Sequence, residues 1–243
     1  MVKSADKLVG KKVIVVGGTS GIGFGAAQAY IDAGANVVVV SSNEGRVNDA
    51  VKRLNSPNVS GAVGNVREEE SFIELLKGFA PVDHIVFSGV DTIIRGKLED
   101  LDLDEAKHLF GVKFWGAVII GKAVKKYDII KPGGSLTLTS GTAALKPGKG
   151  ASTGGALNGG VIVLTKGLAG DLSDKKIRVN VVTPGLVQSE LWGKMGKTEE
   201  EIKSMVENTS LPVGFVATPD DIAEAYLYLA KADYATGTSI EIV

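Results

Sequence analysis

The chain has 243 residues, 44% of them hydrophobic, with 27 basic and 28 acidic side chains and no cysteine. A net charge of −1 gives no electrostatic footing for nucleic acid or an anionic membrane, and the lack of cysteine excludes disulfides, thiolate metal sites and a cysteine nucleophile. The opening MVKSADKLVGKK is too polar for a signal peptide and no apolar run approaches about 18 residues, so a soluble, cytoplasmic, metal-free protein is expected.

Short apolar runs alternate with helical periodicity from end to end. Strands are predicted near 12–16, 36–41, 59–63, 84–88, 134–139, 177–182 and 238–242. Helices are predicted near 21–33, 45–54, 68–78, 102–127, 153–171 and 219–230. This alternation predicts an α/β fold over 1–243, a Rossmann-like doubly wound parallel sheet of about seven strands with helices on both faces. In such a sheet a ligand lies at the carboxyl ends of the strands. The least regular stretch, 185–212, reads as a substrate lid with one helix at 198–207, or as a solvated surface excursion.

The stretch Val15 to Gly23, VVGGTSGIG, joins the first strand to the first helix. Gly17 suits a sharp exit from the strand, Gly21 lets backbone approach a pyrophosphate, and Gly23 lets the helix pack closely on the sheet. With Thr19, Ser20 and Ile22 they form a turn whose amides, opening a helix, favour phosphate oxygens. A second strand, Asn36 to Ser42, follows at the spacing a dinucleotide-binding unit requires.

The GGTSGIG turn, the strand–turn VFSGV (86–90), the TLTS segment ending at Ser140, IRVNVVTPGLVQSE (177–190) and the closing ATGTSIEIV occur in one order. Together they resemble the short-chain dehydrogenase/reductase family over nearly the whole chain. The resemblance implies that Pro184 and Gly185 shape a nicotinamide pocket, and that Val187 and Ser189 hold the carboxamide. It puts Ser88 and Gly89, from FSGV, against the cofactor in place of the family's NNAG, and Asn65 and Val66 beside the adenine. NAD-selective members usually end the second strand with an acidic residue; here it ends Ser41-Ser42-Asn43 with Arg46 just beyond. Hydroxyls and a guanidinium suit a 2′-phosphate, so NADP(H) is expected, although Arg46 also reads as a solvated residue at a helix start.

The family's catalytic tyrosine and lysine are absent. Counted back from VIVLTKGLAGDL, the tyrosine position falls on Gly154 and the lysine position on Asn158. The relay asparagine aligns with Lys113, and Ser140 matches the family serine. Ser140 and Lys113 are therefore the candidate catalytic residues, and Asn158 a ribose ligand. Ser152, Gly154 and Trp192 are candidate substrate neighbours, with Trp192 either a lid residue or a loop anchor. Glycines 154, 155, 159 and 160 in one helix indicate either room for a bulky ligand or close packing. His84, His108 and the acidic helix start Asp102, Asp104, Glu105 read as structural.

Three readings follow. One is an NADP(H)-dependent oxidoreductase that reduces a carbonyl or imine/iminium group of a small organic molecule, secondary metabolites included, by a non-standard proton path. Another is a redox-neutral or bifunctional biosynthetic cyclase, by similarity to fungal biosynthetic relatives that lost the tyrosine–lysine pair. The last is a non-catalytic NADPH-binding sensor or scaffold. By resemblance, helices 102–127 and 153–171 mediate a homodimer or homotetramer.

Overall fold

The computed structural model describes residues 6–90, 92–194 and 196–243. Seven strands make one sheet: β1 (Lys12–Val16), β2 (Asn36–Ser41), β3 (Val59–Val63), β4 (Val82–Phe87), β5 (Ile130–Thr139), β6 (Arg178–Pro184) and β7 (Ser239–Ile242). Their order is β3-β2-β1-β4-β5-β6-β7, and every neighbouring pair is parallel. The chain winds outward from β1 in both directions, so the switch point lies between β1 and β4, where Val16 pairs with both Val40 and Phe87. Central strands must be apolar on both faces, and β4 and β6 are buried throughout; the edge strand β3 is not.

The helices are α1 (Gly21–Asp32), α2 (Glu44–Leu54), α3 (Glu69–Phe79), α4 (Leu103–Phe110), α5 (Gly116–Tyr127), α6 (Ser152–Asp171), α7 (Leu191–Lys194), α8 (Glu199–Glu207) and α9 (Pro219–Lys231). They cover both faces of the sheet. On one, Ile120, Val124, Val161 and Leu168 pack over Ile85, Leu136 and Val179; on the other, Tyr30, Ile222, Tyr226 and Leu229 pack over Val15, Val39 and Val182. Among the described residues no helix is long and apolar enough to cross a membrane.

The single helix expected over 102–127 is interrupted. A π-helical turn, Gly111–Trp115, separates α4 from α5. One extra residue in a turn leaves an apolar pattern on both sides nearly intact, so periodicity does not show it, and it re-aims the side chains it carries, Lys113 among them. Close packing follows at once: a Cβ on Gly116 would lie 2.6 Å from Val66 Cγ2. α7 is too short to leave any period and was not expected. α8 matches the expected lid helix and begins with a capping box between Thr198 and Glu201. β5 starts earlier than expected, at Ile130, because its pairing with β4 slips between Val82 and His84. Asp102 caps α4 by accepting from the Asp104 and Glu105 amides, and His84 shares a hydrogen bond with Ser135 Oγ at 2.9 Å in the interior.

Candidate active site

A cavity of about 470 Å³ opens at the carboxyl ends of β1, β4, β5 and β6, a size suited to a small organic ligand. One wall is the β1–α1 turn. Gly17 has φ +83°, and a Cβ there would sit 2.7 Å from Gly89 N; a Cβ on Gly23 would sit 2.2 Å from Gly17 O. Backbone contact at both points leaves room for glycine only. Ser20 caps α1 without a side-chain bond to the helix, so its hydroxyl and the first amides of α1 stay available at the cavity wall. One amide is taken: Gly21 N donates to Glu190 Oε2 at 2.9 Å, a carboxylate at the positive end of the helix.

The expected cofactor residues fall into two groups. Gly17, Ser20, Gly21, Ile22, Gly23, Ser88, Asn158, Pro184, Gly185, Val187 and Ser189 line the cavity. Thr19, Ser41, Ser42, Asn43, Arg46, Asn65, Val66 and Gly89 lie outside its lining. Two of these asparagines hold structure. Asn43 Oδ1 caps α2 by accepting from Arg46 N at 2.9 Å. Asn65 braces the turn before α3, its Nδ2 donating to Glu68 Oε1 at 2.8 Å and its Oδ1 accepting from Arg67 N at 3.1 Å. The exposed Arg46 guanidinium has no ion-pair partner among the described residues.

At the other end of the cavity three elements converge. Lys113 comes from the π turn, Ser140 from the end of β5, and Asn158 from the second turn of α6. Lys113 Nζ donates to Asn158 Oδ1 at 2.7 Å and to the Ser140 carbonyl at 3.0 Å. An ammonium has three protons, so one remains for a ligand. Burial without a carboxylate partner lowers the Lys113 pKa to about 8. The Ser140 hydroxyl donates to the Asn158 carbonyl at 2.8 Å. Ser140 is thus placed beside the lysine as expected, but its proton is committed, leaving only lone pairs toward the cavity.

No tyrosine lines this cavity. The nearest link to one is Thr139 Oγ1, 2.7 Å from Tyr226 OH, and that phenol is buried in the opposite core with its pKa raised by desolvation. Gly154 lines the cavity; Ser152, the first residue of α6, is exposed and outside the lining. The 185–212 stretch reaches the site: Trp192, buried, lines the cavity with Lys197 and Met205, while Met195 of the LWGKM stretch lies outside the described residues. Sequence reasoning missed Arg95 and Lys146, which also line it. Their one signal was position, in the loops that follow β4 and β5 at their carboxyl ends.

A family model described as an SDR-like Rossmann domain matches residues 4–242. The chain belongs to the short-chain dehydrogenase/reductase family. It is 34% identical to the short-chain dehydrogenase/reductase malC of Malbranchea aurantiaca, across 98% of this chain and 95% of that protein. The fold is similar to a structure described as MalC reductase/Diels-Alderase from the same organism, with a TM-score of 0.85, 32% identity, and 98% and 97% of the two chains covered. It is also similar to a small-chain dehydrogenase solved in complex with NADPH, with a TM-score of 0.77, 31% identity, and 96% of each chain covered.

Proposed function

We propose that this protein is an NADP(H)-dependent oxidoreductase that reduces a carbonyl or imine carbon of a small organic substrate, with Lys113 as the proton donor. The observation that carries this reading is the Lys113 ammonium: it is held by two acceptors, has one proton left for the cavity and a pKa of about 8. At neutral pH such a group is mostly protonated and still a far better acid than a hydroxyl.

The residues present fit the cofactor. The glycine turn forms a cradle that any Cβ would fill, and Ser20 with the first amides of α1 suits the pyrophosphate. Ser41, Ser42 and the unpaired Arg46 suit a 2′-phosphate, in keeping with the NADPH bound by the 31% identical relative. Asn158 Nδ2 is left to meet the nicotinamide ribose, and Val187 and Ser189 the carboxamide. Glu190 must leave Gly21 N for a phosphate oxygen to take its place.

When bound, NADPH would supply the hydride. Lys113 stabilises the negative charge that develops on the substrate oxygen and then gives that oxygen its proton. Ser140, with its proton on the Asn158 carbonyl, fixes Asn158, and Asn158 in turn fixes Lys113. Relative to the family pattern, lysine and asparagine have exchanged helices and meet at 2.7 Å. Trp192, carried by the lid, excludes water from one side. A homodimer or homotetramer through the helical segments 102–127 and 153–171 is part of the same reading, supported by the exposed Trp115 and Val163, as is a cytoplasmic location, supported by the cysteine-free composition.

One observation favours a second reading, a redox-neutral or bifunctional cyclase: the similar MalC structure is described as a reductase/Diels-Alderase. Against it, Gly148 and Ala151, which line the cavity, offer Lys113 no acidic or aromatic partner. Titrating NADPH and NADH by fluorescence, and then following nicotinamide absorbance with ketones, imines and cyclic iminium compounds, separates the two. NADPH-dependent turnover of ketones is expected. Tight NADPH binding with product formed but no NADPH consumed would reverse the choice.

A further inference from the structure

The charged lining of the cavity is one-sided. In a chain with 27 basic and 28 acidic side chains, the described residues that line this cavity include four bases (Arg95, Lys113, Lys146 and Lys197) and a single acid, Glu190. Two of the charges are neutralised in place. Glu190 pairs with Arg53 at 3.9 Å besides accepting from Gly21 N, and Lys197 pairs with Glu201 at 3.3 Å. Lys113 is engaged at the reacting end. Arg95 and Lys146 have no ion-pair partner among the described residues.

These two side chains are not scattered. Arg95 lies in the loop after β4 and Lys146 in the loop after β5, and the loops are clamped together where Gly96 N donates to Gly150 O at 2.9 Å. The clamp tolerates no side chain: Gly150 has φ +77°, and a Cβ on it would lie 2.6 Å from Gly96 O. Gly148 lies beneath Arg95, its Cβ position 3.6 Å from Arg95 Nη2, so the guanidinium rests over bare backbone. The result is two exposed cations carried by joined loops on one rim of the cavity, beside the first turn of α6, with Lys113 deeper inside.

We propose that Arg95 and Lys146 bind an anionic group, of the carboxylate class, on the substrate, at the end remote from the carbon that is reduced. This rests on the reductase reading for the rest of the substrate, and it narrows that reading to carbonyl compounds that carry a negative charge. A guanidinium recognises a carboxylate through two parallel N–H donors, and the neighbouring ammonium adds a point charge. The same arrangement repels a cationic substrate, which is specificity by exclusion.

The test uses benzoylpropionate and benzoylbutyrate, each beside its primary amide, so that the aryl ketone is constant and only the charge changes. NADPH-loaded protein is titrated with each by calorimetry, and nicotinamide absorbance is followed in parallel. At least one carboxylate is expected to bind roughly tenfold or more tightly than its amide. That preference should fall to within about twofold in the Arg95→Ala/Lys146→Ala double variant, with NADPH affinity unaltered, and rising salt should weaken the carboxylate alone. Equal affinity for acid and amide, or no carboxylate binding at millimolar concentration, overturns the anion site. A binding preference without NADPH oxidation upholds the site and overturns the reductase reading. Turnover of acids and amides at equal efficiency does the opposite.

Discussion

The β1–α1 turn and the Lys113–Asn158–Ser140 cluster share one cavity but are specified differently. The turn is contiguous and made by backbone: Gly17 and Gly23 are where they are because a Cβ would strike Gly89 N or Gly17 O. The cluster is assembled from three elements, with Lys113 bonding residues 27 and 45 positions away, and it works through side-chain atoms. A site built from backbone sterics tolerates no exchange of residue types. A site built from side-chain atoms can trade them, provided the donor and acceptor still meet, as Lys113 and Asn158 do at 2.7 Å.

The largest effect should come from the turn. Gly23→Ala puts a methyl 2.2 Å from Gly17 O and 2.3 Å from Ser88 Oγ, both on the cavity wall. The backbone must shift, and NADPH binding measured by fluorescence should weaken by about 100-fold or more, ~2.7 kcal/mol. Retained affinity would show that the turn gives way cheaply, and the contrast between the two regions would lose its basis.

Lys113→Met should leave NADPH affinity within about threefold and cut turnover roughly 10²- to 10³-fold, as expected for loss of a positioned acid. Ser140→Ala should cost only about tenfold or less, because the Ser140 proton is already given to the Asn158 carbonyl and not to the substrate. Equal losses would mean that the hydroxyl rotates and shares the donor role. The pH profile sharpens the assignment. A lysine with its pKa lowered to about 8 is protonated below that value, so the rate of reduction should be flat below about pH 8 and fall tenfold per unit above it. Stability runs the other way. Between about 8 and the unfolded value near 10.5, the unfolded chain holds a proton that the folded chain has released, so stability rises with pH in that window. Lys113→Met should flatten both curves; a rate that keeps its limb near pH 8 in the variant would assign that limb to another group.

Arg46→Ala tests the adenosine end, outside the cavity. NADPH affinity should fall about tenfold and NADH affinity less than twofold, since the guanidinium has no structural partner to lose. Equal losses for both cofactors would mean that Arg46 supports α2 and does not read the 2′-phosphate.

The glycine turn and all seven strands were legible in the sequence because each is a local pattern: an apolar run, then a break. The π turn was not, since one inserted residue hardly disturbs the flanking periods. Nor was the Arg95–Lys146 pair, which lies in irregular loops and becomes a site only when Gly96 and Gly150 join them. Ser152, the first residue of α6, does not line the cavity. Register along α6 put it beside Gly154, but only some faces of a helix look into a cavity.

The glycines of α6 show the same limit, and they carry the smallest prediction. Read along the sequence, positions 154, 155, 159 and 160 form one feature, but the structure divides it. A Cβ on Gly155 would press on Ala143 O at 2.7 Å and Pro147 Cβ at 3.0 Å, and one on Gly160 would touch the Phe114 ring at 3.2 Å, so those two serve close packing. Gly154 borders the cavity, and a Cβ on Gly159 would meet nothing within 4 Å. Gly159→Ala should therefore stabilise the protein by up to ~1 kcal/mol, about 2–4 °C in Tm, by removing backbone freedom from the unfolded chain at no steric cost. Gly155→Ala should destabilise it by about 1–3 kcal/mol. Stabilisation at both positions would mean that the 142–148 loop yields easily to α6, and that the rim holding Lys146 is softer than its packing indicates.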